Sequence, residues 1–251
     1  MRALALALLS LATVTTTLAG TTVPRTHAKL EIEVIDRQSG AVLPVYWRRG
    51  ERYIAGEPGR EYEIRLHNRS AQRLLTVTSV DGVNVITGQS ASTQQSGYVL
   101  DAHDSVQIDG WRKNLAEVAA FYFTSLPDSY AARTGRPGNV GVIGVAVFRE
   151  AERQHLSAIT DHNEAAPSSS APSSAAARDS AAEKLGSGHG TRRDSYAQSV
   201  EFERASDEPE AVIRIFYDSR RNLVAQGVIR EPSPLPHRPQ PFPVAGFVPN
   251  P

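Results

Sequence analysis

Cysteine is absent from all 251 residues of this sequence. A chain without thiols forms no disulfide framework, no thiolate metal site and no lipid anchor attached through cysteine. The sequence also has no H-E-x-x-H zinc motif, and we predict neither a metal nor a cofactor. A folded domain of this composition must therefore be held together by its apolar core.

An excess of charge of either sign is also absent. The sequence has 27 basic and 27 acidic residues, and its formal net charge at pH 7 is zero. Nucleic-acid-binding domains usually present a strongly basic face, so we predict no nucleic-acid partner. Lysine is scarce among the basic residues, and nearly all of them are arginines, whose planar side chains make bidentate contacts that lysine cannot make.

A long apolar run occurs only at the start of the sequence. Residues 1–19 combine Arg2, an apolar stretch and a small-residue end at Ala19. This layout predicts a secretory signal peptide cleaved after Ala19, with Ala28 as the second choice. The alternatives are an uncleaved anchor or a first buried strand, although the run is shorter than the ~20 residues that span a bilayer. We predict an exported protein without an integral membrane segment after cleavage.

Residues 29–150 alternate apolar and polar side chains with a period of two, which is typical of half-buried strands. Residues 140–148 (VGVIGVAVF) are apolar on both faces and predict a central strand. Many short strands separated by turn signals predict an all-β fold, mainly an antiparallel β-sandwich or an open barrel.

Two local features of this block are also predicted. A short polar connection between residues 61–67 and 73–80 favours a hairpin. Residues 114–119 are compatible with one helical turn.

The remaining sequence divides into three parts. Residues 157–184 are rich in alanine, serine and proline, and this composition predicts a disordered linker. Residues 185–230 are patterned again, and 211–229 predict a C-terminal β-hairpin that packs on the core to complete one domain. Residues 231–251 form a proline-rich tail that favours extended conformations.

The first candidate site lies in SYAARTGRPG, residues 129–138. Arg133 and Arg136 are placed among glycines and a proline, where two guanidinium groups can hold a phosphate, a carboxylate or a sugar acid. The alternative is a plain turn whose arginines pair with local acids such as Asp128.

The second candidate site lies in LGSGHGTRRDS, residues 185–195. Small neighbours leave the His189 imidazole accessible as an acid, a base or a ligand-binding group, and Arg192 follows it. The same glycines also suit a flexible exit from the linker. We expect His189 to lie near Arg133 and Arg136, because the end of the linker returns to the same sheet.

The aromatic residues offer a third candidate. Tyr46, Trp47, Tyr53 and Trp111 can form a platform for carbohydrate, or they can pack in the core. Trp111, between Gly110 and Arg112, is the member that we count as a candidate ligand contact. There is no G-x-S-x-G nucleophile motif, and we assign no catalytic residue.

Several longer phrases resemble a family of exported bacterial proteins of unknown function. These phrases are SVDGVNVITG, QSGYVL, GWRK, FTSLPDSYAARTGRPGNVGVIGVAVF, GSGHG and YDSRRNLVAQGVI. The resemblance covers roughly residues 50–150 and 185–230 and brings no catalytic or ligand assignment. It implies a location in the bacterial envelope, periplasmic or secreted, and implies that the two patterned blocks belong together.

These observations favour an exported, non-catalytic binding module whose partner is an envelope glycan, an anionic ligand or another protein. Two alternatives stay open. One is a periplasmic hydrolase that uses His189. The other is a structural or assembly component of the envelope, recruited through a sheet edge or the proline-rich tail.

Overall fold

The structure is a computed structural model that describes residues 29–152 and 184–231. In chain order the strands are β1 (Leu30–Asp36), β2 (Val45–Arg48), β3 (Glu51–Gly56), β4 (Glu61–Asn68), β5 (Leu74–Val80), β6 (Val83–Asn84), β7 (Tyr98–Leu100), β8 (Ser105–Ile108), β9 (Gly110–Arg112), β10 (Glu117–Ser125), β11 (Val142–Arg149), β12 (Leu185–Asp194) and β13 (Ala211–Ser219). The α-helices are α1 (Tyr130–Arg133) and α2 (Arg220–Ala225), and two 3₁₀ turns lie at Leu126–Asp128 and Pro137–Asn139.

The strands form two sheets. Sheet A has the order β1-β4-β10-β12, with β8 paired to β4 and β9 paired to β10. Sheet B has the order β2-β3-β13-β11-β5-β6, with β7 paired to β5. Every pair is antiparallel except β13 with β3, which is parallel. The predicted all-β, mainly antiparallel sandwich is confirmed.

One apolar core fills the space between the sheets. Sheet A contributes Tyr62, Phe121 and Phe123, and sheet B contributes Ile54 and Tyr217, all of them buried. The rings of Tyr62 and Phe123 stack with 4.3 Å between their centroids. These residues occupy alternate positions of their strands, as the period-two pattern predicts.

The central strand predicted at residues 140–148 is confirmed as β11. It lies between β13 and β5 and pairs with both along most of its length. Gly144 removes a side chain where an added Cβ would lie 2.9 Å from Oγ of Ser79. The apolar character of both faces therefore reflects burial on both sides of the strand.

The hairpin predicted from residues 61–67 and 73–80 is wrong. These residues form β4 and β5, which belong to sheets A and B respectively. The buried Asn68 side chain redirects the chain at this point: its Nδ2 donates to the carbonyl oxygens of Gln72 and Asp101, and its Oδ1 accepts from the Ser70 amide. The connection thus crosses from one sheet to the other.

The C-terminal hairpin is also wrong, although the second block does pack on the first. β13 inserts between β3 and β11, and the chain then continues into helix α2. Ser219 is the N-cap residue of α2, since its side chain accepts a hydrogen bond from the Asn222 amide. This capping interaction, which favours a helix over a second strand, explains the difference.

The predicted helical turn at 114–119 is likewise not formed. The Asn114 side chain accepts hydrogen bonds from the amides of Ala116 and Glu117, and β10 begins at Glu117. The predicted signal peptide, almost all of the linker and all but the first residue of the tail lie outside the described residues. No helix in the described ranges has the length and apolar character to cross a membrane.

Candidate functional site

The SYAARTGRPG segment folds into the short helix α1 and a 3₁₀ turn between β10 and β11. The Ser129 side chain caps α1 by accepting from the Ala132 amide, and Gly135 takes a positive φ of 77°. The predicted pairing of an arginine with Asp128 is not formed, because Asp128 accepts from the Ser125 hydroxyl instead. In the described part of the chain, neither Arg133 nor Arg136 forms an ion pair with a carboxylate.

The GSGHG segment is part of strand β12. The alternative prediction, a flexible segment at the end of the linker, is wrong. Within β12, residues 186, 188 and 190 face one side of sheet A and residues 185, 187 and 189 face the other. An added Cβ at Gly188 would lie 2.1 Å from Cζ of Tyr122, whose ring crosses the glycine side of the strand. Gly188 and Gly190 therefore leave room for Tyr122, whereas Gly186 leaves room for Ser129 and Val140.

His189 lies opposite Phe121, on the same side of sheet A as the buried Ser187. Its ring is 5.3 Å from the ring of Tyr130 and is stacked 6.3 Å from the ring of Trp111, measured between centroids. The Arg136 guanidinium carbon lies 5.9 Å from the centroid of the same Tyr130 ring. The two glycine-rich segments therefore meet at Tyr130. This agrees with the prediction that His189 lies near Arg133 and Arg136.

Positive charge surrounds His189. Partial burial lowers the pKa of His189 below its ordinary value of 6.5, and Lys113, Arg192 and Arg133 lower it further, partly offset by a hydrogen bond to the backbone of His189 itself. Arg192 is 3.9 Å from Glu117 at its closest, which is a weak pairing for a side chain this exposed. We call this set of residues, His189 with Tyr130, Lys113, Arg133, Arg136 and Arg192, the His189 surface.

Trp111 does not present a face to a ligand, in contrast to the prediction. Its side chain is only 2% exposed and contacts Phe121 edge-on, with 4.7 Å between ring centroids. Its other ring neighbour is Tyr130, at 5.0 Å. Trp111 thus supports the rings of Tyr130 and His189 from the core side.

The predicted aromatic platform is not formed. Trp47 is 62% exposed on β2, where the Arg52 guanidinium lies 5.2 Å from its ring centroid. Tyr53 contacts Phe216 on β13, with 5.5 Å between ring centroids. Neither residue contacts Trp111, which belongs to the core.

Sequence reasoning missed two members of the His189 surface. Tyr130 lies within the same SYAARTGRPG phrase as the two arginines, and Lys113 follows Trp111 and Arg112 directly. Both positions are adjacent to candidates that were selected. Their role depends on the approach of β12 to α1, which no local pattern specifies.

A buried polar network fixes the position of β12. Hydroxyl groups of Tyr62, Ser187 and Tyr217 form a chain of hydrogen bonds that ends at the carboxylate of Asp81. The Ser187 amide also donates to Asp81, at 2.7 Å. Burial raises the pKa of Asp81, partly offset by these donors. Because all four side chains are sealed in the core, the network holds Ser187, and with it His189 two residues later.

A separate cleft of about 320 Å³ lies beside α2, and Tyr53 is the one candidate residue from the sequence among its described lining residues. Its polar wall includes Asp218, whose Oδ1 accepts from the Ser219 amide and from Nδ2 of Asn222. These bonds cap and anchor α2, so a structural role accounts for the carboxylate.

Within the described ranges, no group of three or more histidine, aspartate or glutamate side chains is placed to hold a metal ion. Comparisons with models of protein families, with curated proteins and with solved structures gave no match. The resemblance to exported bacterial proteins stays a prediction.

Proposed function

We propose that the protein is an exported, non-catalytic binding module of the bacterial envelope that holds an anionic ligand on the His189 surface. The observation that carries this proposal is the concentration of positive charge around one exposed imidazole. Lys113, Arg133 and Arg192 act on His189 electrostatically, and Arg136 lies over the adjoining Tyr130 ring.

The arrangement of Arg136 favours binding. Nη1 of Arg136 donates to the Gly88 carbonyl oxygen at 3.1 Å, and Nε and Nη2 donate to Oγ1 of Thr134. These contacts, together with the Tyr130 ring, restrict the guanidinium without neutralising it. A charged group held in this way loses less conformational entropy when a ligand binds than a freely rotating one does.

A hydrolase that uses His189 as a general base has less support. A general base is usually oriented by a hydrogen bond from its second ring nitrogen to an acid or a carbonyl group. In the described ranges no acidic side chain forms a hydrogen bond or an ion pair with the His189 imidazole, whose hydrogen bond is to its own backbone. The charged groups with the largest electrostatic effect on it are cations, which cannot orient an imidazole as an acid does.

Thermal shift measurements on the mature protein test the proposal. The panel should contain sulfate, phosphate, uronic acids and neutral glycans of matched size. A ligand at 100 times its dissociation constant stabilises the fold by about 2.7 kcal/mol, which gives a clear shift. We expect anions to stabilise the protein and the Arg133→Ala/Arg136→Ala double variant to lose the response.

Arg214→Ala is the matched control, because Arg214 is exposed on β13 and has no ion pair with a described residue. A response to neutral glycans alone contradicts the proposal.

An assembly role is the second candidate, and β2 supports it. β2 is the last strand of sheet B and pairs only with β3 among the described strands. Val45 and Trp47 on this strand are 41% and 62% exposed. Exposed strand edges with apolar side chains are sites of pairing with another chain. Light scattering over a range of protein concentrations tests this role. Association that Trp47→Glu removes supports it, and a monomer at every concentration argues against assembly between copies.

A further inference from the structure

We infer that the His189 surface binds a doubly charged phosphate group together with one proton, which His189 takes up. This inference rests on the proposed function and specifies both its ligand and its pH dependence. The phosphate is either free inorganic phosphate or the phosphomonoester of a larger molecule such as a phosphorylated sugar.

The groups that face His189 come from four elements. β9 and the turn after it contribute Trp111 and Lys113, and β10 contributes Phe121. Helix α1 contributes Tyr130 and Arg133, and β12 itself contributes Arg192. The set contains three cations and three aromatic rings. Arg192 is 3.9 Å from Glu117, which also accepts from Nδ2 of Asn114, and Arg192 lines a cleft with Asp109 and Asp194.

This composition favours a doubly charged ligand over a singly charged one. Arg136 and His189 both lie against the Tyr130 ring, and Lys113, Arg192 and Arg133 act electrostatically on the imidazole. A monocarboxylate would leave most of this positive charge uncompensated, whereas a phosphate dianion offers three oxygen atoms to several guanidinium groups. Arginine is the residue best suited to such contacts, because its planar donors match phosphate geometry.

The same charges explain why the proton accompanies the ligand. In the free protein partial burial, and then the nearby cations, disfavour the imidazolium form, so the pKa of His189 lies below 6.5. A dianion placed among these cations reverses the local potential and raises the pKa of His189 in the complex. Between the two pKa values, binding takes up a proton, and the affinity rises by up to about tenfold for each pH unit of acidification.

Inorganic sulfate is the probe, because it keeps both negative charges throughout the range in which histidine titrates. Phosphate itself loses a proton with a pKa near 6, which would obscure the contribution of the protein. Calorimetry with full-length mature protein between pH 5 and pH 8 gives the affinity and, by comparison of two buffers, the number of protons taken up. We expect sulfate to bind more tightly as the pH falls, with uptake approaching one proton.

Methyl sulfate is the matched ligand with a single negative charge and a similar tetrahedral head. We expect it to bind at least about tenfold more weakly than sulfate at acidic pH, a difference of about 1.4 kcal/mol. Equal binding of sulfate and methyl sulfate would overturn the dianion part of the inference.

The variants separate this inference from the proposed function. His189→Gln should still bind sulfate, but without pH dependence and without proton uptake. His67→Gln is the matched control, because His67 is bonded to Ser105 on sheet A and is not a member of the His189 surface, and it should behave as the wild type. Sulfate binding that is independent of pH in the wild type refutes the inference and leaves the proposed function standing. Absence of anion binding at every pH refutes both.

A comparison of inorganic phosphate with glucose 6-phosphate then distinguishes the two sources of the phosphate group. Tighter binding of the sugar phosphate assigns the site to a phosphomonoester. Equal or tighter binding of inorganic phosphate assigns it to the free ion.

Discussion

The backbone amide of Ser187 donates a 2.7 Å hydrogen bond to Oδ2 of Asp81, and this bond joins β12 of sheet A to the turn after β5 of sheet B. Oδ1 of the same carboxylate accepts from the Gly141 amide at 2.8 Å and from the Tyr217 hydroxyl. Asp81 therefore connects three segments that are distant in the sequence. Its own φ of 55° is tolerated because aspartate enters the left-handed region more readily than most residues.

Asp81→Ala should destabilise the fold by about 3 kcal/mol or more, because it leaves three buried donors without an acceptor. Urea denaturation measures the loss. Asp81→Asn keeps the shape of the side chain and tolerates a positive φ. Because it retains one acceptor oxygen, its loss of unfolding free energy should be smaller than that of Asp81→Ala. A loss below about 1 kcal/mol for Asp81→Ala would contradict the importance of the carboxylate.

Tyr217→Phe should destabilise the protein more than Tyr62→Phe does. The Tyr217 hydroxyl contacts both the Asp81 carboxylate and Oγ of Ser187, whereas the Tyr62 hydroxyl contacts only Oγ of Ser187. Hydrogen bonds to a charged group contribute about 1.5–3 kcal/mol and those between neutral groups about 1 kcal/mol. The two variants remove the same atom from similarly buried rings, so their difference in unfolding free energy reports on the carboxylate bond. Equal losses would show that the bond to Asp81 contributes little.

Gly188→Ala should destabilise the fold by about 1–3 kcal/mol, because the new methyl group enters the space of the Tyr122 ring. The Tyr122→Ala background removes that ring and should reduce the cost. A double-mutant cycle on unfolding free energies measures this coupling. Gly138→Ala is the control, since an added Cβ there meets no atom within 4 Å, and it should change stability by no more than about 0.5 kcal/mol. If Gly188→Ala costs the same in both backgrounds, the Tyr122 ring is not the reason for glycine at this position.

The pair of Asp36 and Arg60 should contribute stability that is lost in acid. Partial burial acts to raise the pKa of Asp36, but bonds from Arg60 and Ser39 outweigh it, and the pKa lies below its ordinary value of 3.8. When folding lowers the pKa of a carboxyl group, the group stabilises the fold at pH values above its pKa in the unfolded chain. This contribution disappears as the pH falls through its pKa in the folded protein. Arg60→Ala should therefore cost about 1 kcal/mol at neutral pH and progressively less below pH 3.8. Urea denaturation at several pH values measures this, and a cost that does not depend on pH would argue against the ion pair as its origin.

The strands were largely predictable, because their side chains alternate. Tyr62, Ile64 and Leu66 alternate with polar residues in the sequence and are all buried on β4. The pattern does not specify which strand pairs with which, and β4 and β5 were assigned to one hairpin for this reason. The change of sheet depends on the side-chain bonds of Asn68, which bind carbonyl groups up to 33 positions away.

The sequence carries a local signal for helix α2. Ser219 precedes the helix as its N-cap, and Gly227 follows it with a positive φ of 70°. Serine before a helix and glycine after it are recognised boundary residues. The site was predictable in part: Arg133, Arg136, His189 and Arg192 are candidates from the sequence, whereas Tyr130 and Lys113 are not. The burial of Trp111 follows from its contacts with Phe121 and Tyr130, which no neighbouring residue in the sequence reveals.

The insertion of β13 between β3 and β11 has a consequence for biosynthesis. The ribosome delivers the chain from its N-terminus, and until residue 219 emerges sheet B is split into two halves with unpaired edges. Until residue 194 emerges, β10 also lacks its partner β12. Unpaired edges are templates for aggregation. The nascent chain therefore has strands with unpaired edges during most of its synthesis. β13, the last described strand to be synthesised, joins the two halves of sheet B.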